Sequence, residues 1–176
     1  MRVLLADLNE VLKIIDACDF VPDEVCIRAL IVAEDRRFFY HFGFDVIAIA
    51  RAACMTIFFG HLQGASTIEA QLVRTVTGRR EISLSRKVRE LVISALISTM
   101  RSKRSIASAY LSVAYFGFEE AGILNAATRF GFSIESCTKM QIFFLVAMLK
   151  RPLNGSISLN NLQAIDRRAA WIKRNF

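Results

Sequence analysis

Two adjacent carboxylates, Glu34 and Asp35, stand directly before Arg36-Arg37-Phe38-Phe39-Tyr40-His41-Phe42-Gly43-Phe44-Asp45. Proton-transfer chemistry asks for carboxylates whose environments differ. At about 100° per residue, a helix over residues 23–38 places Glu34 between Ile27 and Leu30 on an apolar face, while Asp35 falls beside Arg28 on the polar one. A carboxylate against apolar side chains is poorly solvated, which makes it a better proton acceptor near neutrality. The plainer reading is a glutamate at a frayed helix end whose side chain reaches water.

A second group follows in Gly64-Ala65-Ser66-Thr67-Ile68-Glu69-Ala70-Gln71-Leu72-Val73-Arg74. Ser66 with Glu69 three residues later has the spacing of a capping box, so a helix is expected to begin here with free N–H groups facing an anion. Thr67, Gln71 and Arg74 then form one polar stripe, opposite Ile68 and Leu72. A stripe of this kind is often only a solvated face, and its functional reading rests on the cations nearby. Arg74, Arg79, Arg80, Arg86, Lys87 and Arg89 are close together in the chain, and guanidinium and ammonium groups at that density suit a pyrophosphate ester. The third group, Arg86-Lys87-Val88-Arg89-Glu90, opens a further helix with Ser85 as its expected cap. Glu90 lies in the row that continues through Ile93 and Ile97, so its carboxylate is expected to point into a groove. The alternative is a surface ion pair between Arg86 and Glu90 at i, i+4.

The elements that must position these groups are helical. Val88, Leu91, Val92, Ala95 and Leu96 recur at i, i+3, i+4, i+7, i+8, and Ile93, Ile97 and Met100 add a second apolar side, which places this helix in the middle of a bundle. Further helices are expected over residues 45–58, 67–76, 105–114, 120–129, 138–149 and 160–174. The fold class is mainly α.

Neither low-complexity sequence nor a repeat marks a boundary, and 176 residues suffice to bury a core, so a single domain over residues 1–176 is expected. The longest apolar run, Ile142 to Leu149, is too short to cross a bilayer, which takes about 20 residues. Asp7 and Glu10 interrupt the apolar core that a signal peptide requires, so neither an export signal nor an anchor is read here. A formal charge of +7 favours an anionic partner: phosphorylated lipid, a membrane surface or nucleic acid. The last is set aside, because charge alone leaves the carboxylates unexplained. Cys18, Cys26, Cys54 and Cys137 lack the spacing of a metal or redox motif and read as buried thiols.

Taken in order, the three strings resemble the signature motifs of family 51 glycosyltransferases, the peptidoglycan polymerases. The resemblance continues through Lys103-Arg104-Ser105-Ile106, Tyr110-Leu111-Ser112, Tyr115-Phe116-Gly117, Gly122-Ile123 and Ala126-Ala127 to Arg151-Pro152. It implies a lysozyme-like, two-lobed helical domain with a substrate groove, and the joining of lipid-linked disaccharides (lipid II) into glycan. By the same resemblance Glu34 is the general base and Glu90 a second essential glutamate at the diphosphate end, the two opening into one cleft. Asp35, Ser66, Thr67, Gln71, Arg74, Arg86, Lys87 and Arg89 match groove positions. The resemblance further implies a divalent cation, Mg2+ or Mn2+, at the diphosphate. Implied as partners are lipid II, the nascent strand, the membrane surface and cell-wall synthesis proteins, and as location the outer, periplasmic face of a bacterial cytoplasmic membrane.

Val46 to Phe59 occupies the place of an apolar, membrane-facing segment in that family, although a buried helix explains the same residues. Three positions depart from the pattern: Ala70 stands for one of two glutamines, Ser112 for an asparagine and Ile82 for an arginine, for which Arg79 or Arg80 is a candidate substitute. A groove-bearing homologue that binds without turnover is the second reading. A hydrolase on the same fold is a third, since fold does not fix chemistry.

Overall fold

Leu8, Val11 and Ile15 bury one face of the first helix, α1 (Arg2–Asp16). Their i, i+3, i+7 row is legible in the sequence, yet the expectations above assign no helix there. The computed structural model describes residues 2–60, 64–79, 81, 83–117, 121–153 and 158–176. Ile82 and Arg80 lie outside the described residues, as does the start of the helix expected at 120.

Local chemistry sets the boundaries of the remaining elements. α2 (Glu24–Glu34) follows Pro22 and is capped by Asp23, whose side chain accepts the Cys26 N–H at 2.7 Å. It ends at Glu34, short of the expected residue 38, and passes into a 3-10 turn at Phe38–Tyr40. α3 (Val46–Phe59) starts on Asp45 and stops at Gly60, whose φ of +65° is a left-handed helix end. α4 (Ile68–Thr77) is capped by Thr67 rather than Ser66, and α5 (Leu84–Met100) by Ser83 rather than Ser85. α6 (Lys103–Val113), α7 (Ile123–Arg129), α8 (Lys139–Met148) and α9 (Leu159–Asn175) complete the chain. A reciprocal capping box is present at Thr138 and Gln141, not at Ser66 and Glu69.

The fold is mainly α, as expected, and the described residues form no strand longer than an isolated bridge. α4 packs against α1, α5 and α6, and α2 against α6, α8 and α9. Leu30, Phe38, Ile68, Leu72, Ile93 and Ile97 meet between these helices without exposure. Each such side chain contributes about 1.5–3 kcal/mol of burial.

In burial, α5 differs from expectation and α3 decides between two readings. α5 is not central to the bundle: Ile93 and Ile97 are buried, whereas Val88, Val92, Leu96 and Met100 reach the surface. With Phe44, Leu91, Val92, Ala95, Leu96 and Thr99 line an apolar hollow of about 360 Å³. α3 buries Ala52 alone and exposes Val46, Ile47, Ile49, Ile57, Phe58 and Phe59, so the buried-helix reading of residues 46–59 is set aside. Among the described residues no helix is long and apolar enough to cross a membrane. The cysteines are free thiols; Cys26 is buried, which pushes its pKa up to about 12, but Cys54 is exposed, against the reading of all four as interior.

Candidate functional site

Glu34 is the last residue of α2, and its side chain is 10% exposed. Polar donors surround the carboxylate instead of the apolar face that helical periodicity predicts. The Arg168 guanidinium donates to Oε1 at 3.1 Å, and the Gln71 carboxamide donates to Oε2 at 3.3 Å. Arg168 also donates to the Ala33 carbonyl at 2.7 Å, which ties the end of α2 to α9. Gln71 in turn accepts the Tyr110 hydroxyl at 2.7 Å. Burial, and then the Glu34 charge, raise the Tyr110 pKa, so this phenol keeps its proton and serves as a donor. Tyr110, Gln71, Glu34 and Arg168 therefore form one chain of hydrogen bonds drawn from four helices.

Arg168 is one residue that the motif reading missed, because it lies beyond the stretch the resemblance covers. Its only sequence signal is a position next to the buried row Ile165, Ala169 and Ile172. Replacing Arg168 with Met removes a donor from both Glu34 and Ala33. Urea unfolding of Arg168→Met is expected to show a loss of about 1–3 kcal/mol, the usual cost of stranding partly buried acceptors.

Asp35 turns the other way. The helix has ended, so the 100° rotation no longer applies and Asp35 faces inward, away from the Arg28 side. Its Oδ2 lies 3.0 Å from His41 Nε2 and accepts the Ile68 N–H at 3.3 Å, joining the first motif to the start of α4. Thr67 strengthens that junction: its hydroxyl donates to the Gly43 carbonyl at 2.8 Å and accepts from the Ala70 N–H. Ser66, displaced from the cap, accepts from Arg74 at 3.2 Å.

A cavity of about 580 Å³ opens beside these groups. Glu34, Asp35, Ser66 and Thr67 line it, joined by Arg36, Arg37 and Arg51 and by Trp171 and Asn175 of α9. The structure thus gathers the first motif and the head of the second on one wall. Gln71 and Arg74 stand behind, in contact with wall residues through Glu34 and Ser66.

The third motif lies apart from this wall. Glu90 is 3% exposed, in the row of Ile93 and Ile97 as predicted, but Arg86 and Lys87 both pair with its carboxylate, and none of these three lines the cavity. The i, i+4 pair is therefore present in buried form. Arg89 sits 3.8 Å from Asp7, which Arg79 also grips at 3.0 Å, so these two cations hold α1. Among the described residues the cations on the cavity wall are Arg36, Arg37 and Arg51, none of which the motif reading assigned to the site, and Arg37 pairs with Asp45 of the same wall at 3.0 Å.

A family model described as Transglycosylase matches residues 6–176. The chain belongs to the transglycosylase family. Among curated proteins it is similar to penicillin-binding protein 1A of Escherichia coli (strain K12), 34% identical over 169 residues, which is 95% of this chain and 19% of that relative. The protein of the same name from Rickettsia typhi is 36% identical over 161 residues, covering 89% of this chain and 20% of the relative. That from Vibrio cholerae serotype O1 is 34% identical over 173 residues, 97% and 21% respectively. The chain spans about one fifth of the length of these bacterial relatives.

Within this transglycosylase chain, the group of potential metal ligands found among the described residues is Asp35, His41 and Glu69. Glu69 has no exposure and His41 has 8%. The Lys103 ammonium already pairs with Glu69. These residues do not fit a divalent cation shared with a diphosphate on the solvent side, and no step is derived through one.

Proposed function

We propose that this transglycosylase chain is a peptidoglycan glycosyltransferase acting as one domain, and that it polymerises lipid II into glycan strands. The observation that carries the reading is Glu34, held by Arg168 and Gln71 on the wall of a cavity with three arginines, in a chain whose family match runs almost end to end. In this reading Glu34 takes the proton from the acceptor sugar hydroxyl. The freed oxygen attacks the anomeric carbon of the donor with inversion, and the lipid diphosphate departs with the electron pair of the broken glycosidic bond. A diphosphate is a good leaving group, so the site needs a base and fixed positive charge more than a strong acid. Arg36 and Arg51 supply positive charge at the cavity, beside Arg37, which is paired with Asp45. Glu90, with Arg86 and Lys87 upon it, is assigned to the diphosphate end.

The membrane is the proposed source of substrate. A +7 chain with six large apolar side chains exposed on α3 has the attributes of a surface that meets anionic lipid. The outer face of a bacterial cytoplasmic membrane is the corresponding location, with cell-wall synthesis proteins as neighbours.

A second reading has its own support. The Glu90 carboxylate is engaged by two cations and stands off the cavity wall, and Ala70 and Ser112 replace polar groups of the family pattern. These features suit a homologue that binds lipid II or glycan without joining it. Purified protein given fluorescent lipid II in detergent separates the two. The first reading expects a ladder of glycan chains, whereas binding by fluorescence anisotropy with no chain growth would select the second.

A further inference from the structure

Lys103 belongs to a string that the motif reading noted but gave no task, and it opens α6 next to the loop that carries Asp35 and His41. Its ammonium bonds to Glu69 Oε1 of α4 and lies 4.6 Å from the centroid of the Phe38 ring in that loop. One cation therefore touches both bodies that the first two motifs join. Across the junction, the ligating atoms of Asp35, His41 and Glu69 all lie within 4.8 Å of one another. Glu69 Oε2 and His41 Nδ1 are buried and have no hydrogen-bond partner.

Two carboxylates that close, in so dry a place, repel strongly unless a positive charge is fixed beside them. Burial of Glu69 favours its neutral form, and Lys103, then His41, act against that. The junction has the donor set and spacing of a cation site, and the resident cation is the chain's own ammonium.

We infer that Lys103 is a positioning residue, the internal counter-ion that lets Asp35 and Glu69 share one junction and so holds Glu34 in register with Gln71 and Arg168. Asp35 directly follows Glu34, so no residue intervenes to absorb a shift. Without the ammonium, a carboxylate or the His41 imidazole must take a proton, or the loop must move away. The mobile partner is the loop bearing Asp35 and His41, because Glu69 is set in the first turn of α4. A swing of Asp35 releases the Ile68 N–H and rotates Glu34 away from its two donors. Ala48 and Arg51 on the far wall lie outside the loop, but Arg36 and Arg37 move with it, so turnover falls more than substrate capture.

The kinetic arm of the test rests on the proposed glycosyltransferase activity, and an exchange arm does not. In the full chain, Lys103→Met is expected to lower kcat about tenfold or more, with a smaller rise in KM because Arg36 and Arg37 share the displaced loop. Amide exchange at Ile68 is expected to quicken about tenfold relative to Leu72 in the same helix, reporting local opening of the junction. Adding Glu69→Gln removes the stranded charge at nearly constant volume. The double variant is expected to restore Ile68 protection, and kcat to within about threefold of wild type.

If wild type shows no polymerisation, the exchange arm still decides the junction while the functional reading falls. Should Lys103→Met fail to fold, a double variant that folds with wild-type protection at Ile68 supports the inference, and one that stays unfolded overturns it. A folded Lys103→Met with unchanged kcat and Ile68 exchange overturns it as well, as does a double variant no better than the single.

Discussion

Glu34→Gln is expected to reduce glycan polymerisation about a thousandfold while leaving the helical fold in place. Loss of a positioned general base removes about 10²–10⁴ in rate, and no neighbour stands ready to replace it. Asp35 points into the junction with His41 and Ile68, and Glu90 is paired with Arg86 and Lys87. Stability is expected to change by no more than about 1–2 kcal/mol, because the carboxamide oxygen still accepts from Arg168 while the Gln71 amide must reorient. The measurement is chain growth from fluorescent lipid II, beside circular dichroism and a urea melt of the same preparation. A variant that keeps more than about one tenth of the wild-type rate would remove Glu34 from the role of base.

Gly43→Ala is expected to damage the fold severely. Gly43 has a φ of +83°, and a Cβ built there would lie 2.1 Å from the Ser94 carbonyl oxygen of α5. The left-handed backbone costs an L-residue about 1–2 kcal/mol, and the collision adds about 1–3 kcal/mol more as α5 is pushed back. The expected loss of about 2–5 kcal/mol is a large part of the 5–15 kcal/mol typical of a domain. Gly60→Ala is the control, since Gly60 shares a positive φ but has nothing within 4 Å. Urea midpoints should fall far for the first and by about 1 kcal/mol for the second. Equal losses would show that backbone conformation, rather than contact with α5, is what Gly43 provides.

The parts of this architecture that depend on local periodicity were legible in the sequence. The row Glu90, Ile93, Ile97 is read from spacing alone and is buried as one face. Apart from α1, for which no helix was expected, and α7, expected from 120 and observed from Ile123, helix starts were legible to within a residue or two, and the errors at the caps have a common cause. Ser66 and Thr67 are equally good caps in isolation; Thr67 takes the place because its hydroxyl also reaches the Gly43 carbonyl, a partner 24 residues away. Asp35 was assigned to the wrong side because the helix ends one residue earlier, which voids the angular argument. The surroundings of Glu34 were illegible for a different reason. Arg168 is 134 positions distant, and nothing local tells which arginine of the final helix turns toward the carboxylate. The same holds for Glu69, whose spacing suggested a cap and whose burial depends on a lysine 34 residues on. Long-range ion pairs are set by the packing of helices, and a single sequence carries no direct record of them.

The grip of Arg168 on Glu34 also constrains the order in which the molecule is made. A chain synthesised from its amino terminus presents α2 early, but the guanidinium that completes its last turn is encoded only a few residues before the end of α9. Until that helix has left the ribosome, the glutamate lacks one of its two donors and the cavity lacks the wall built by Trp171 and Asn175. The cavity wall is therefore unfinished while α1 to α8 are made, and it is completed when α9 emerges.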